Sequence, residues 1–150
     1  MPADRTYIAL NDAARSRLRA LVARLTDADL ARPMPAGWTV ASVLAHVAFW
    51  DQRILVLLDR WEQSPSTAPP AIHEADVDWV NDATKALLLA MPPRRAAELT
   101  IATAEAVDAR VAALPDALLA RNEAAGSPLS MTRAAHRREH LDEIERALGG

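Results

Sequence analysis

Of the four histidines in these 150 residues, three are spaced so that they could do chemistry together. His136 and His140 lie four apart in the segment from Met131 to Ile144. On a helix that spacing puts both imidazoles on one face, one turn above the other. His46 lies far upstream, between Trp38 and Trp50. If it projects from a neighbouring helix, three neutral nitrogens could grip one divalent ion. Such a site keeps its fourth position open, as catalytic rather than structural sites do. His73 follows Pro69 and Pro70 and reads as a surface histidine. His136-Arg137-Arg138-Glu139-His140 also matches the H-x-x-E-H pattern of inverted zinc proteases, in which the glutamate is a general base. That class needs a further carboxylate ligand well downstream, and only Leu141 to Gly150 follow, so a protease is not expected. Glu139 and Glu143 remain candidates for a carboxylate beside a metal.

Composition removes other chemistries. There is no cysteine, which excludes disulfides, zinc–thiolate sites and a cysteine nucleophile, so any thiol must arrive as a cofactor. The formal net charge is -3, with acids interleaved among the arginines and no basic stripe, so nucleic acid is not an expected partner. No basic segment followed by an apolar run and a cleavage site opens the chain, and no stretch reads as a membrane span. The expectation is a cytoplasmic protein with no membrane partner. Apolar residues make up 51% and charged residues 25%, as in a folded globule with one sizeable core.

The elements that would carry the histidines are helical almost throughout, with no strand-like alternation. A first helix is expected from about Asp12 to Leu25, with Leu18, Leu21, Val22 and Leu25 as its apolar stripe. Thr26 to Gly37, with two prolines and a terminal glycine, reads as a connector. Thr39 is placed to cap a second helix carrying His46, Trp50 and Ile54, which ends before the loop Ser64 to Pro70. A third helix spans about Asp76 to Ala90, with Val77, Val80, Leu87 and Leu88 turned inward. Pro92 and Pro93 break it, and helix resumes from about Arg94 to Leu114. Pro115 to Pro128 reads as a second connector. A last helix runs from about Ser130 to Leu148, with Leu141, Ile144 and Leu148 as its ridge and Gly149 and Gly150 ending it. The expected fold is all-α, a single domain over 1–150, a four-helix bundle with one helix split or extra. His136 and His140 align with Ile144 and His46 aligns with Trp50, so all three point toward the core or its margin. Burying unpaired imidazoles costs free energy, and a shared metal would offset it.

The segment Gly37 to Asp51, with Gly37-Trp38-Thr39 followed by Leu44-Ala45-His46, resembles the signature of the DinB-like four-helix bundles. The pair His136 and His140 matches that family's histidine pair on the last helix. The superfamily includes the N-terminal domain of mycothiol-dependent maleylpyruvate isomerase and bacillithiol S-transferase-like proteins. The resemblance covers nearly the whole chain. It implies an up-down-down-up bundle with His46, His136 and His140 as ligands of a divalent metal, zinc or nickel. It also implies a homodimer, and chemistry in which a low-molecular-weight thiol such as mycothiol or bacillithiol attacks an electrophile. In the isomerase relatives one ligand of the last helix is often a carboxylate, whose place here is His136. Those enzymes add a C-terminal domain to the active site, and these residues comprise the bundle alone.

Three readings follow. The first is a metal-dependent enzyme on a small-molecule substrate, a thiol S-transferase, with Trp50 walling the pocket, Arg53 holding an anionic group and Asn81 orienting a bound group. The second is a small metallohydrolase using Glu139 or Glu143. The third is a non-catalytic metal- or ligand-binding dimer related to stress, which a fourth protein ligand such as His73 would favour.

Overall fold

The computed structural model describes residues 2–149; the expectation that Gly150 helps to end the last helix lies outside them. Seven α-helices are present among the described residues: α1 (Tyr7–Arg24), α2 (Asp27–Leu30), α3 (Val40–Gln63), α4 (Glu74–Leu89), α5 (Pro93–Ala112), α6 (Asp116–Ala124) and α7 (Ala134–Ala147), with a 3-10 turn at Pro35–Gly37. No strand occurs among these residues, and a single antiparallel bridge joins Pro33 to Thr39. The four bundle helices are α1, α3, α5 and α7, with α4 laid against α3 on the outside.

Side-chain pairings fix the helix directions. Asn11 meets Met131 and Arg133, and Arg17 meets Asp142 and Glu145, so α1 and α7 run parallel. Tyr7 meets Val111, Arg15 meets Asp108 and Arg94 meets Leu25, so α1 and α5 run antiparallel. His46 meets His136 and Asp51 meets Arg133, so α3 and α7 are antiparallel. The order is therefore up-down-down-up. It requires α4 as the return crossover between two helices that run the same way.

The core follows the helical periodicity. Leu18, Leu21, Val22 and Leu25 are buried against Val40, Val43 and Leu44 at one end of the bundle. Ile54, Leu58 and Trp61 pack with Val107, Val111 and Leu118 at the other. Thr39 caps α3 in a reciprocal box with Ser42, as its position implies: each side chain accepts from the other's backbone N–H.

Several boundaries differ from the sequence expectation. α1 begins at Tyr7 rather than near Asp12, because the buried Tyr7 ring anchors its first turn and its hydroxyl donates to the Val111 carbonyl at 2.7 Å. Both expected connectors contain helix, α2 and α6. α2 is a single turn closed by a Thr26–Asp29 capping box, and α6 buries Leu118 and Leu119 behind Pro115. Leu87 points outward, 73% exposed, while Leu88 is the inward residue of that turn. α3 is long and apolar enough to cross a membrane, contrary to the reading of no such stretch, but 61% of its most apolar window is buried as the central helix of the bundle.

Candidate metal centre

The site is built where α3 and α7 cross. The Thr39 capping box fixes where α3 starts, and His46 follows two turns later on the face toward α7. α7 is started by Asn11 of α1, whose side-chain oxygen accepts from the N–H groups of Arg133 and Ala134 at 2.7 and 3.0 Å, while its amide donates to Met131. The first-turn N–H groups of α7 thus find a partner on another helix. His136 and His140 then fall on the face turned toward α3.

The three imidazoles converge as expected. His136 Nε2 lies 3.3 Å from His46 Nε2 and 3.0 Å from His140 Nε2. One nitrogen from each ring fits within a 4.8 Å cluster. Metal–nitrogen bonds of about 2.0–2.1 Å in a tetrahedron give nitrogen–nitrogen edges of roughly 3.3–3.4 Å. These two separations are close to that edge, so the donor set fits one small divalent ion. His73 stands at the start of α4, exposed and outside the cluster, so three histidines gather without a fourth.

Tautomers follow from the surroundings. His140 Nδ1 lies 2.9 Å from Glu143 Oε2. An ionised carboxylate only accepts, so His140 carries its proton on Nδ1 and turns an Nε2 lone pair toward the other rings. The Nδ1 atoms of His46 and His136 are buried without a hydrogen-bond partner. Burial, together with the neighbouring His140, pushes the pKa of His46 down to about 4. For His136, burial leads again, with His140 and His46 adding to it and Arg133 and Arg137 further out, and its pKa falls to about 3. Both rings are therefore neutral near pH 7, the state in which imidazole ligates a metal.

A cavity of about 1010 Å³ opens beside the cluster, with His46 and His140 on its wall. The size suits a small-molecule site. Trp38 walls it and packs edge-on to His46 at 5.7 Å. A turn places this ring: Ala36 and Gly37 both take positive φ, 60° and 80°. The Ala36 carbonyl accepts from Lys85 of α4, whose ammonium also lies over the Trp38 ring. α4 contributes Asp78, Asn81 and Asp82 to the cavity, and α7 contributes Glu143 and Arg146.

The three candidates for substrate contact take different places. Asn81 lines the cavity. Trp50 stands behind it, buried, and its indole N–H donates to Asn81 Oδ1 at 2.9 Å. Arg53 lies over the Trp50 ring at 5.8 Å, and burial lowers its pKa, with Arg133 adding to the effect. Neither Trp50 nor Arg53 is on the cavity wall. Glu139 is exposed and off the cavity, whereas Glu143 is on it. Arg133 and Arg137 look like part of a solvated face in the sequence, yet both are buried in ion pairs with Asp51 and Asp108. Trp38, though part of the Gly-Trp-Thr signature, gives no sequence sign that it walls a cavity.

The family model described as the DinB superfamily matches residues 10–141, a span that contains all three histidines. The chain belongs to the DinB superfamily. No curated protein and no solved structure matches it. This membership agrees with the bundle order and with three histidines that could hold a divalent metal.

Proposed function

We propose that the protein is a divalent-metal-dependent enzyme that joins a low-molecular-weight thiol, such as mycothiol or bacillithiol, to a small electrophile. The observation that carries this reading is the convergence of three Nε2 atoms beside a cavity large enough for both reactants. His46, His136 and His140 would hold the ion, zinc or nickel. The ion would supply a Lewis acid that favours thiolate over thiol. The chain has no cysteine, so the sulfur nucleophile has to be brought in.

The chain's own groups then bind and orient. Glu143 keeps the His140 proton on Nδ1 and so keeps Nε2 available. An indole nitrogen only donates, so Trp50 claims Asn81 Oδ1 and leaves the Asn81 Nδ2 hydrogens for a bound acceptor, such as a carbonyl oxygen. Arg53 backs the Trp50 ring and so acts on the pocket through Asn81. Arg146 is the cationic group on the wall for an anionic substituent, and Met34, Val43 and Trp38 shelter the apolar part. A hydrolase is less favoured: Glu139 lies off the cavity, and Glu143 is engaged by His140.

Two further parts belong to this proposal. The protein works in the cytoplasm, where low-molecular-weight thiols are kept reduced. It assembles as a homodimer through the outer face of α4, where Trp79 is 59% exposed and Leu87 lies two turns on.

The test is to load the protein with zinc or nickel and mix it with a panel of thiols and electrophiles, following adduct by mass spectrometry. Adduct with the loaded protein, and none with His46→Ala, is the expected result. A protein that binds metal tightly but yields no adduct with any pair would instead be the metal-binding module of the third reading.

A further inference from the structure

Beneath the histidines lies a charged network inside the bundle. Arg137 is 1% exposed and directly follows His136. Its guanidinium forks onto both Asp108 oxygens at 2.7 Å each and reaches Asp51 Oδ2 at 3.1 Å. Arg133 donates from Nε to Asp51 Oδ1 at 2.9 Å, and Arg15 donates to Asp108 Oδ2 at 2.6 Å. All four bundle helices are therefore joined through two buried carboxylates.

Burying such a network rarely stabilises a fold more than apolar packing would, so stability alone is a weak reason for it. Its place offers another. On α3, Asp51 follows His46 by five residues, roughly 7–8 Å along the axis. On antiparallel α7, Arg133 and Arg137 face Asp51 while His136 and His140 face His46. The ion pairs and the histidines are consecutive rungs of one α3–α7 interface. The other polar ties of α7 run from Asn11 to its first turn, from Arg32 to the Ala147 carbonyl, and from Arg17 and Arg24 to Asp142 and Glu145, and none of them reaches α3.

We propose that Asp51 and Asp108 are positioning residues for the metal centre: they grip the Arg137 fork and hold α7 in the rotation that turns His136 and His140 onto His46. This rests on the metal reading of the site. A planar fork fixes an angle in a way that a flexible ammonium does not. Charge alone is therefore not enough, and Arg137→Lys should fail to restore the geometry. Removing a group that orients ligands weakens metal binding about 10- to 100-fold.

The test measures zinc affinity by competition with a chromophoric chelator, and the visible spectrum of the cobalt-loaded protein, for the parent chain, Asp108→Asn, Arg137→Lys and Arg17→Ala. Circular dichroism sets a temperature at which each is folded. Both network variants should bind zinc about 10- to 100-fold more weakly, with an altered cobalt spectrum, whereas Arg17→Ala, which breaks only exposed or half-buried α1–α7 pairs, should match the parent. If one network variant does not fold, the other carries the comparison. Network variants that melt earlier yet keep parental affinity and spectrum would reduce the network to a packing element and overturn the proposal. A parent chain that binds neither ion would overturn the metal reading itself, a result recognisably different from a loss confined to the variants.

Discussion

His140 shows how one neighbour decides what a ring can do. Glu143 holds its Nδ1 proton, so its Nε2 faces His136 as a lone pair. Glu143→Gln should weaken zinc binding roughly tenfold, measured by competition titration, since an amide can no longer demand that tautomer through charge. Unchanged affinity would show that Glu143 is only a wall. Glu139→Gln should leave both affinity and turnover unaltered; a loss of turnover with metal still bound would revive the hydrolase reading. The pKa values of His46 and His136 give a pH test of the metal-free protein. The unfolded chain takes up protons below about pH 6.5, but the folded chain resists until about 4 at His46 and about 3 at His136. Stability from these rings is therefore complete above pH 6.5 and is lost as pH falls toward those values. Thermal melts in chelator should show this slope, and His136→Ala should flatten it; an unaltered slope would place the acid sensitivity elsewhere. Trp50→Phe should impair turnover while leaving metal content intact, because Asn81 loses the donor that sets its amide.

At the scale of elements, α7 depends on a residue more than a hundred positions upstream. Asn11→Ala would leave the first N–H groups of α7 and the Met131 carbonyl without their partner and should cost about 1–3 kcal/mol, read by chemical denaturation. A change well below that would mean water replaces the side chain. This dependence also marks the limit of reading the chain alone. The capping chemistry of Thr39 is local, so the start of α3 was legible from Thr39 itself. The long apolar stripe of Leu18, Leu21, Val22 and Leu25 was legible for the same reason. α6 was not: its nine residues carry two buried leucines, too short a repeat to stand out beside Pro115, Gly126 and Pro128. The start of α1 was set by a distant acceptor, Val111, which no local pattern reveals. The burial of Arg137 has no local sequence sign, because arginine is almost always exposed unless paired, and its partners Asp51 and Asp108 lie 86 and 29 residues away.

For the whole molecule, up-down-down-up order is what lets a histidine near the start of α3 meet two from the last helix. The crossover helix α4 closes one side of the cavity with Asp78, Asn81 and Asp82, and its other face is apolar and exposed at Trp79 and Leu87. Light scattering should give a dimer mass that Trp79→Lys shifts toward monomer; a monomeric parent chain would set the dimer aside. The histidine triad was legible in the sequence from the four-residue spacing and the inward alignment of His46. Of the wall that faces it, Asn81 was already a sequence candidate, whereas Trp38 was not, because it is aimed by a turn with two positive φ angles. All of this chemistry depends on the three histidines forming one metal site. Elemental analysis tests it most directly, on protein made without a chelator or a histidine tag, beside His46→Ala and His140→Ala. Near one equivalent of zinc or nickel per chain is expected, lost in both variants. No bound metal after reconstitution, or metal retained in both variants, would contradict it.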